Sequence, residues 1–365
     1  MSNPAWLRRA GAVVIAVVIV VGGLHADGGP SDDAVATAAV PSPRTAVRRA
    51  SGAPTPTTTA APTPTTVAPA TTAPPPPAPA APAAPVALPL VVPKGKGMWI
   101  YQPEYAEGGD PNAIVARAVA TGLTHLYVRT GSSIDGFDAA PFLDALLPVA
   151  HAAGVRVIGW DLPYLDDPAA DADRAGAVVG YVTPSGDRLD GFSADIETPS
   201  EGVALTPESA TTYGSLLRAV IGPDYPLIAT VPRPSPQRQE SYPYPEVTAV
   251  FDAIAPMVYW IDAAPDQTVA EAVDYLSVFG KPVLPVGQAY DGSMEGGPPG
   301  TPTPDDISAF ITTASAHGAA GVSFWSWQHA SDDTWSVITS APEVGVPPPV
   351  PVPVPLPARA GVGAP

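Results

Sequence analysis

Short runs of apolar, β-branched and aromatic residues alternate with Ala-rich stretches along the chain from about residue 97 onwards. The short runs have the length of buried strands, and the stretches between them have the length of helices. Eight strands are predicted in this way, over residues 97–101, 125–130, 156–161, 191–197, 226–231, 253–260, 282–290 and 321–327. Regular alternation of strands and helices is typical of a parallel sheet covered by helices.

The predicted helices begin and end at residues that favour those positions. Asp110 and Pro111 provide a cap and a first-turn proline for a helix that ends at Gly122. Thr206 precedes Pro207 in the same way after the fourth strand. Eight strand–helix units within about 250 residues predict a (β/α)8 TIM barrel, whose functional site lies at the carboxyl ends of the strands.

The remainder of the chain has a different composition, and it contains many of the 51 prolines among the 365 residues. Residues 27–94 are rich in Pro, Thr and Ala, and residues 343–365 are rich in Pro and Val. Such segments cannot form a packed core, so both are predicted to be disordered, the first as an extended linker. The barrel is therefore assigned to residues 95–342.

The N-terminus resembles a targeting segment. Two arginines precede an apolar run over residues 10–24, and the small residue Ala26 follows. This is the pattern of a secretory signal, and the run is short for a transmembrane span. The bulky Leu24 leaves a retained membrane anchor as the alternative. Residues 1–26 are thus predicted to be a signal peptide or anchor, and the protein to be secreted or associated with the cell envelope.

Charge and composition exclude several functions. The formal net charge is −18 at pH 7, so the chain lacks the basic surface that nucleic acid requires. It contains no cysteine, and its five histidines do not have the spacing of a zinc site. A phosphate-binding loop and a GxSxG motif are also missing from the sequence. We therefore expect a monomer without metal or cofactor, whose partner is a neutral polymer such as a glycan.

Aromatic and polar side chains are concentrated at the predicted strand ends. Aromatic rings stack on the C–H faces of sugars, while carboxylate, amide and guanidinium groups hydrogen-bond to hydroxyls. The candidate polysaccharide-binding residues are Trp99, Tyr101, Arg129, Asp161, Trp260, Asp262, Gln288, Tyr290, Trp325 and Trp327. For each aromatic residue taken singly, packing beneath the helices is an equal alternative.

The fourth predicted strand lies in the sequence LDGFSADIE, residues 189–197. Residues two apart on a strand share a face, so Ser193, Asp195 and Glu197 point the same way. Two neighbouring carboxylates cannot easily both ionise, and the one with the higher pKa can protonate a glycosidic oxygen. Glu197 lies nearest the predicted site and is the candidate acid.

Two questions about these carboxylates stay open in the sequence. A protein nucleophile would have to come from across the barrel, and Asp161, Asp262 and Asp291 are the options. Alternatively, Asp195 and Glu197 form a structural ion network with Arg129 or Arg233.

The stretch LDGFSADIE resembles the strand signature DGxDxDxE of glycoside hydrolase family 18, the chitinase-like barrels, and matches it at Asp190, Gly191, Asp195 and Glu197. MVY, ending at Tyr259, and GVSFW, ending at Trp325, resemble two further strand motifs of that family. The resemblance implies Glu197 as acid/base and Asp195 as the group that orients a substrate N-acetyl group. It also implies that Tyr259 donates a hydrogen bond to that group, that Trp325 forms the floor of the subsite, and that the acetamido oxygen is the nucleophile.

The sequence departs from the family pattern at Ser193, where the family has its middle aspartate, and the third predicted strand lacks the family's SxGG. The leading hypothesis is an exported glycosidase that cleaves an N-acetylhexosamine polymer such as chitin or peptidoglycan. The first alternative is a barrel that binds cell-wall glycan without cleaving it. The second is a hydrolase with two protein carboxylates that acts on sugars lacking acetamido groups.

Overall fold

The computed structural model describes residues 92–345, where eight parallel strands form a closed barrel. The strands are β1 (Gly95–Ile100), β2 (Leu123–Ser132), β3 (Arg156–Leu162), β4 (Gly191–Asp195), β5 (Leu227–Pro232), β6 (Ala253–Val258), β7 (Val286–Gln288) and β8 (Gly321–Trp325). Each strand pairs with its neighbour in the chain, and β1 also pairs with β8, which closes the sheet. A two-residue strand, Gly136–Phe137, adds one antiparallel pairing to β2. The predicted (β/α)8 fold is confirmed.

Helices follow the strands and cover the outside of the barrel. They are α1 (Pro111–Ala120), α2 (Ala140–Ala152), α3 (Pro168–Gly180), α4 (Pro207–Ile221), α5 (Pro236–Ser241), α6 (Tyr244–Thr248), α7 (Pro265–Ser277), α8 (Pro304–Ala316) and α9 (Asp332–Ser340). The predicted caps are confirmed, since the Asp110 carboxylate accepts from Asn112 N at 2.9 Å and the Thr206 hydroxyl accepts from Ser209 N at 3.0 Å. Within residues 92–345, no helix has the length and apolar character needed to cross a bilayer.

The barrel domain extends beyond its predicted end at residue 342. Val344 is fully buried, and its carbonyl accepts a hydrogen bond of 2.9 Å from Gly95 N at the start of β1. The predicted signal or anchor, nearly all of the linker and most of the Pro-rich tail lie outside the described residues.

The strands bury both of their faces, because alternate residues point to opposite sides. Met98 and Ile100 of β1 face outward and belong to the core shared with the helices, whereas Trp99 faces inward. The Trp99 ring stacks on Tyr127 with the centroids 4.2 Å apart and the planes within 3°. Its indole N–H donates to Ser323 Oγ at 2.9 Å, which ties β1 to β8. The interior of the barrel is therefore filled, and a ligand has access only at the ends.

The seventh strand is shorter than predicted. Residues 282–290 had the composition of a strand, but the ladder is continuous only over Val286–Gln288, with an isolated bridge at Val283. Pro282 and Pro285 have no backbone N–H, so neither can donate to a neighbouring strand. After β7, residues 289–303 form a long loop that leads to α8.

Candidate active site

Asp195 ends β4, and Glu197 follows it at the mouth of the barrel. Ala194 and Ile196 are buried in the outer core, so Asp195, which lies between them, faces inward. Asp195 is 9% exposed, and its Oδ1 atom is buried without a hydrogen-bond partner in the described part of the chain. Glu197 is partly exposed.

Burial and neighbouring charges raise the pKa of both carboxyls. For Glu197, burial raises the pKa from 4.5 to about 7, the charges of Glu201 and Glu295 contribute further, and the positive charge of Arg238 opposes the shift. For Asp195, burial raises the pKa well above its usual range, and the charge of Glu197 is the next largest cause. A carboxyl that holds its proton near neutral pH is suited to act as a general acid.

The structure contradicts the ion network proposed as an alternative. Arg129 pairs instead with Asp135, and with Asp138 at 3.7 Å. Among the described residues, Arg233 has no carboxylate within ion-pair distance, and neither Asp195 nor Glu197 takes part in an ion pair. The carboxylates at the mouth are therefore not neutralised by these arginines.

An aromatic surface lies beside the carboxylates, above the filled interior. The rings of Trp160 and Trp325 are 5.4 Å apart, and those of Tyr101 and Trp325 are 5.7 Å apart. Tyr101 and Trp325 are partly exposed, whereas Trp99 is only 1% exposed. Trp325 and Tyr101 can thus contact a ligand, and Trp99 supports them from below.

Tyr259 lies at another side of the mouth, and Tyr290, a predicted substrate-binding residue, is only 2% exposed and packs against it. Their rings meet edge to face, with the centroids 5.3 Å apart. Burial raises the pKa of the Tyr259 hydroxyl well above its usual range, and Tyr290, Asp195 and Glu197 are among the further causes. Tyr259 is partly exposed. The predicted substrate-contacting tyrosine therefore lies in the electrostatic environment of the two carboxylates.

Three predicted site residues lie on the outer side of the barrel. Trp260 and Trp327 are each 4% exposed and pack against Phe310 and Trp335, respectively, with ring centroids 5.5 and 4.8 Å apart. Asp161 is fully buried and accepts a hydrogen bond of 2.8 Å from Arg174 of α3. These three side chains cannot contact a ligand at the mouth.

The remaining predicted residues hold the loops of the rim. Gln288 is 2% exposed, and its side chain accepts from Ile261 N at 2.9 Å and donates to Tyr290 O at 3.2 Å. Asp262 lines a separate cavity of about 280 Å³ between the loops that follow β6 and β7. Asp291 accepts from Ser293 N at 2.8 Å within its own loop. Gln288 therefore positions Ile261 and Tyr290 and is not itself free to bind a ligand.

Sequence reasoning missed three charged residues around Glu197, namely Glu201, Arg238 and Glu295. Each affects the pKa of Glu197. Glu201 and Glu295 lie in the segments after β4 and β7, and Arg238 lies in the short helix α5, where the sequence pattern does not indicate the direction of a side chain. No motif or periodicity in the sequence singled out these three residues. Across residues 92–345, no three His, Cys, Asp or Glu side chains form a group that could hold a metal ion.

No protein-family model and no curated protein sequence matches this chain. Solved structures do show similarity. A candidate α-L-fucosidase from Bacteroides thetaiotaomicron is 13% identical with a TM-score of 0.51, over 72% of this chain and 97% of that one. An endo-1,4-β-mannanase from Rhizomucor miehei is 11% identical with a TM-score of 0.50, over 64% and 86%. A chitinase from Chromobacterium violaceum is 14% identical with a TM-score of 0.46, over 67% and 98%. The first two similarities establish a shared barrel fold, and a fold of this kind does not by itself determine an activity.

Proposed function

We propose that the barrel is a glycosidase that hydrolyses a polysaccharide, with Glu197 as the acid that protonates the departing glycosidic oxygen. The observation that carries this proposal is a partly exposed carboxyl with a pKa of about 7 at the barrel mouth. Cleavage of a glycosidic bond needs such a proton donor, because the leaving alkoxide is a strong base. The exposed faces of Trp325 and Tyr101 offer a surface on which a sugar ring can stack.

We further propose N-acetylhexosamine polymers, of the chitin or peptidoglycan type, as the substrates. The resemblance of LDGFSADIE and MVY to chitinase-like motifs supports this choice. So does Asp195, because burial raises the pKa of its carboxyl well above the usual range and so favours the protonated form, which can donate a hydrogen bond to an acetamido oxygen. Ser193 leaves the Asp195 carboxyl available to a ligand, because the Ser193 hydroxyl is hydrogen-bonded to the Thr230 hydroxyl at 2.7 Å.

The assignment is tested by assaying the purified protein on chito-oligosaccharides and peptidoglycan, beside Glu197→Gln and Glu271→Gln. Glu271 is an exposed glutamate on α7 and serves as the matched control. We expect Glu197→Gln to lower kcat by about 10²-fold or more, as loss of a general acid does, and the control to be unchanged. Equal turnover by Glu197→Gln and the unaltered protein would refute the role of Glu197.

A non-catalytic glycan-binding barrel is the second candidate. Ser193 favours it, because an uncharged residue stands where the resembled family has an aspartate, and its hydroxyl is directed to Thr230. Isothermal titration with the same oligosaccharides separates the two candidates. Binding of equal affinity to the unaltered protein and to Glu197→Gln, without product in either sample, would favour the binding role.

We also propose that the protein acts outside the cytoplasm, on the strength of the apolar run at residues 10–24. Cell fractionation and mass analysis of the mature N-terminus test this proposal. Recovery of the intact chain only from the cytosol would contradict it.

A further inference from the structure

The loop between β7 and α8 carries a glutamate, Glu295, to the mouth of the barrel. Hydrogen bonds within the loop give it a compact form, since Gly292 N donates to Gly300 O at 3.1 Å and Gly297 N donates to Gly292 O at 3.0 Å. The loop also packs directly on the segment after β6. A Cβ atom added to Gly297 would lie 2.3 Å from Cγ2 of Ile261. Glu295 is therefore held on a packed loop with a defined position.

Contacts connect the Glu295 carboxylate to the wall of the site. The Tyr290 hydroxyl donates a hydrogen bond to Glu295, and the Tyr290 ring meets Tyr259 edge to face at 5.3 Å. Tyr259 in turn packs against the aromatic cluster inside the barrel. Strands β4 and β7 are separated by β5 and β6 in the sheet. Glu295 and Glu197 consequently approach the mouth from different sides.

The surrounding charges indicate that the two glutamates share one environment. The charge of Glu295 raises the pKa of Glu197, and the charge of Arg238 lowers the pKa of both. Burial is the main cause that raises the pKa of Glu295, and the Tyr290 hydrogen bond opposes it. Among the described residues, Arg238 forms no ion pair that would hold it away from these carboxylates. The Oδ1 atom of Asp195, at the end of β4, is buried and has no hydrogen-bond partner among the described residues.

The three aspartates that the sequence offered as nucleophiles do not fit this arrangement. Asp161 is bonded to Arg174 outside the barrel, Asp262 faces a separate cavity, and Asp291 caps its own loop. Glu295, in the loop after β7, differs from them because it is hydrogen-bonded to Tyr290, whose ring contacts Tyr259 at the site.

We propose that Glu295 is the catalytic nucleophile, which attacks the anomeric carbon from the face opposite Glu197; this inference rests on the proposed glycosidase function. In the first step, a bond forms between a Glu295 oxygen and the anomeric carbon while the glycosidic C–O bond breaks. The proton of Glu197 passes to the leaving oxygen. In the second step, water gives a proton to Glu197 and attacks the anomeric carbon, and Glu295 departs as a carboxylate.

This route makes the substrate's acetamido group unnecessary for the chemistry, since the protein supplies both carboxylates. The anomeric configuration is inverted twice and thus retained. Tyr290 has the role of a positioning residue, which orients Glu295 through its hydroxyl.

The test uses the full chain and the variants Glu295→Ala, Glu295→Gln, Glu197→Gln and Glu271→Gln, with melting temperatures as a check of folding. We expect both Glu295 variants to lose about 10³-fold or more in kcat, and added azide to restore turnover of Glu295→Ala alone, with a glycosyl azide as product. The unaltered enzyme should release a product of retained configuration, followed by proton NMR.

The alternative outcomes are distinct. If Glu295→Ala keeps kcat within tenfold of the unaltered protein while Glu197→Gln is inactive, the glycosidase proposal stands and Glu295 is not the nucleophile. A product of inverted configuration would likewise overturn the nucleophile role. If the unaltered protein has no turnover on any glycan, both proposals fall together.

A second measurement addresses Tyr290. We expect Tyr290→Phe, which keeps the ring but removes the hydroxyl, to lower kcat more than KM and to shift the acidic limb of the pH profile, because Glu295 loses a hydrogen bond that favours its ionised form. A change in melting temperature without either kinetic change would assign Tyr290 a purely structural role.

Discussion

Asp195 and Glu197 are two residues apart and share a face, yet their surroundings differ. Asp195 is almost completely buried and has an unpartnered oxygen, whereas Glu197 is partly exposed at the barrel mouth. Burial raises the pKa of the Asp195 carboxyl and favours its protonated form, whereas a carboxyl at the mouth can exchange its proton with a ligand or with water. This difference supports separate roles for the pair, with Glu197 as proton donor and Asp195 as a hydrogen-bond donor.

The pH dependence of activity follows from the pKa of Glu197. As the proposed general acid, Glu197 must be protonated, and its pKa is about 7. We therefore expect kcat/KM to fall by about tenfold per pH unit above that value. Initial rates between pH 4 and pH 9 on a soluble oligosaccharide measure this limb. A constant kcat/KM up to pH 9 would show that proton donation by Glu197 does not limit the reaction.

The same pKa predicts an effect on stability. The folded pKa of Glu197 lies above the value of 4.5 for a free glutamate, so the folded state binds the proton more tightly. The free energy of unfolding therefore decreases as the pH rises from about 4.5 to about 7, and it keeps this lower value at higher pH.

Glu197→Gln removes the ionisable group and with it this loss of unfolding free energy at high pH. Relative to the unaltered protein, we expect the variant to gain up to roughly 3 kcal/mol in unfolding free energy at pH 8 and almost nothing at pH 4. Urea unfolding at the two pH values measures the difference. The exposed Glu271→Gln should show no such dependence on pH, and an equal effect of the two substitutions would contradict the prediction.

At the scale of single elements, strand alternation was predictable and loop direction was not. Tyr259 points into the barrel, so the alternation of side chains already places Trp260 outside, where it packs on Phe310. Alternation does not show how deep in the barrel an inward side chain lies. Trp99 was therefore predicted at the rim, whereas in the structure it is 1% exposed beneath the rim. Glu295 follows no period at all. It lies on a loop that packs closely against Ile261 at Gly297, a contact that forms only in the folded protein.

The packing of the β7–α8 loop gives a prediction for that element. Gly297→Ala would place a methyl group against Ile261 Cγ2, so the loop must move and shift Glu295. We expect kcat to fall by at least tenfold with little change in melting temperature, because the loop lies at the surface. The double variant Gly297→Ala, Ile261→Ala removes the obstructing methyl and should recover part of the loss. No difference in kcat between the single and double variants would contradict this account of the contact.

For the whole molecule, the barrel could be predicted because the same strand–helix pattern recurs eight times, and a local error at one strand does not alter the closed topology. Pro282 and Pro285 shortened β7 without changing its place in the sheet. The end of the domain was less predictable, because Val344 stands in a proline-rich context and only the fold shows it beneath the barrel. Lys96 marks the same junction, where its ammonium donates to Ile338 O at 2.6 Å and Ala341 O at 2.8 Å.

Truncation tests the role of this junction in stability. Deletion of residues 343–365 removes the buried Val344 and its bond to Gly95, whereas deletion of 346–365 retains both. We expect the longer deletion to cost about 2–4 kcal/mol in unfolding free energy from lost burial and hydrogen bonding. The shorter deletion should cost little, and thermal melts of the two proteins give the comparison. Identical melting temperatures would show that the domain ends before Val344.

The clustered tryptophans of the barrel also provide an intrinsic fluorescence signal for ligand binding. Trp99, Trp160 and Trp325 have ring centroids between 5.4 and 5.8 Å apart, close enough for excitation to pass readily from one indole to another. Trp325 alone among them is partly exposed, so a ligand that covers its face would alter the emission of the whole cluster. Intrinsic fluorescence can thus follow occupancy of the site without a label, even in a variant that has lost all turnover.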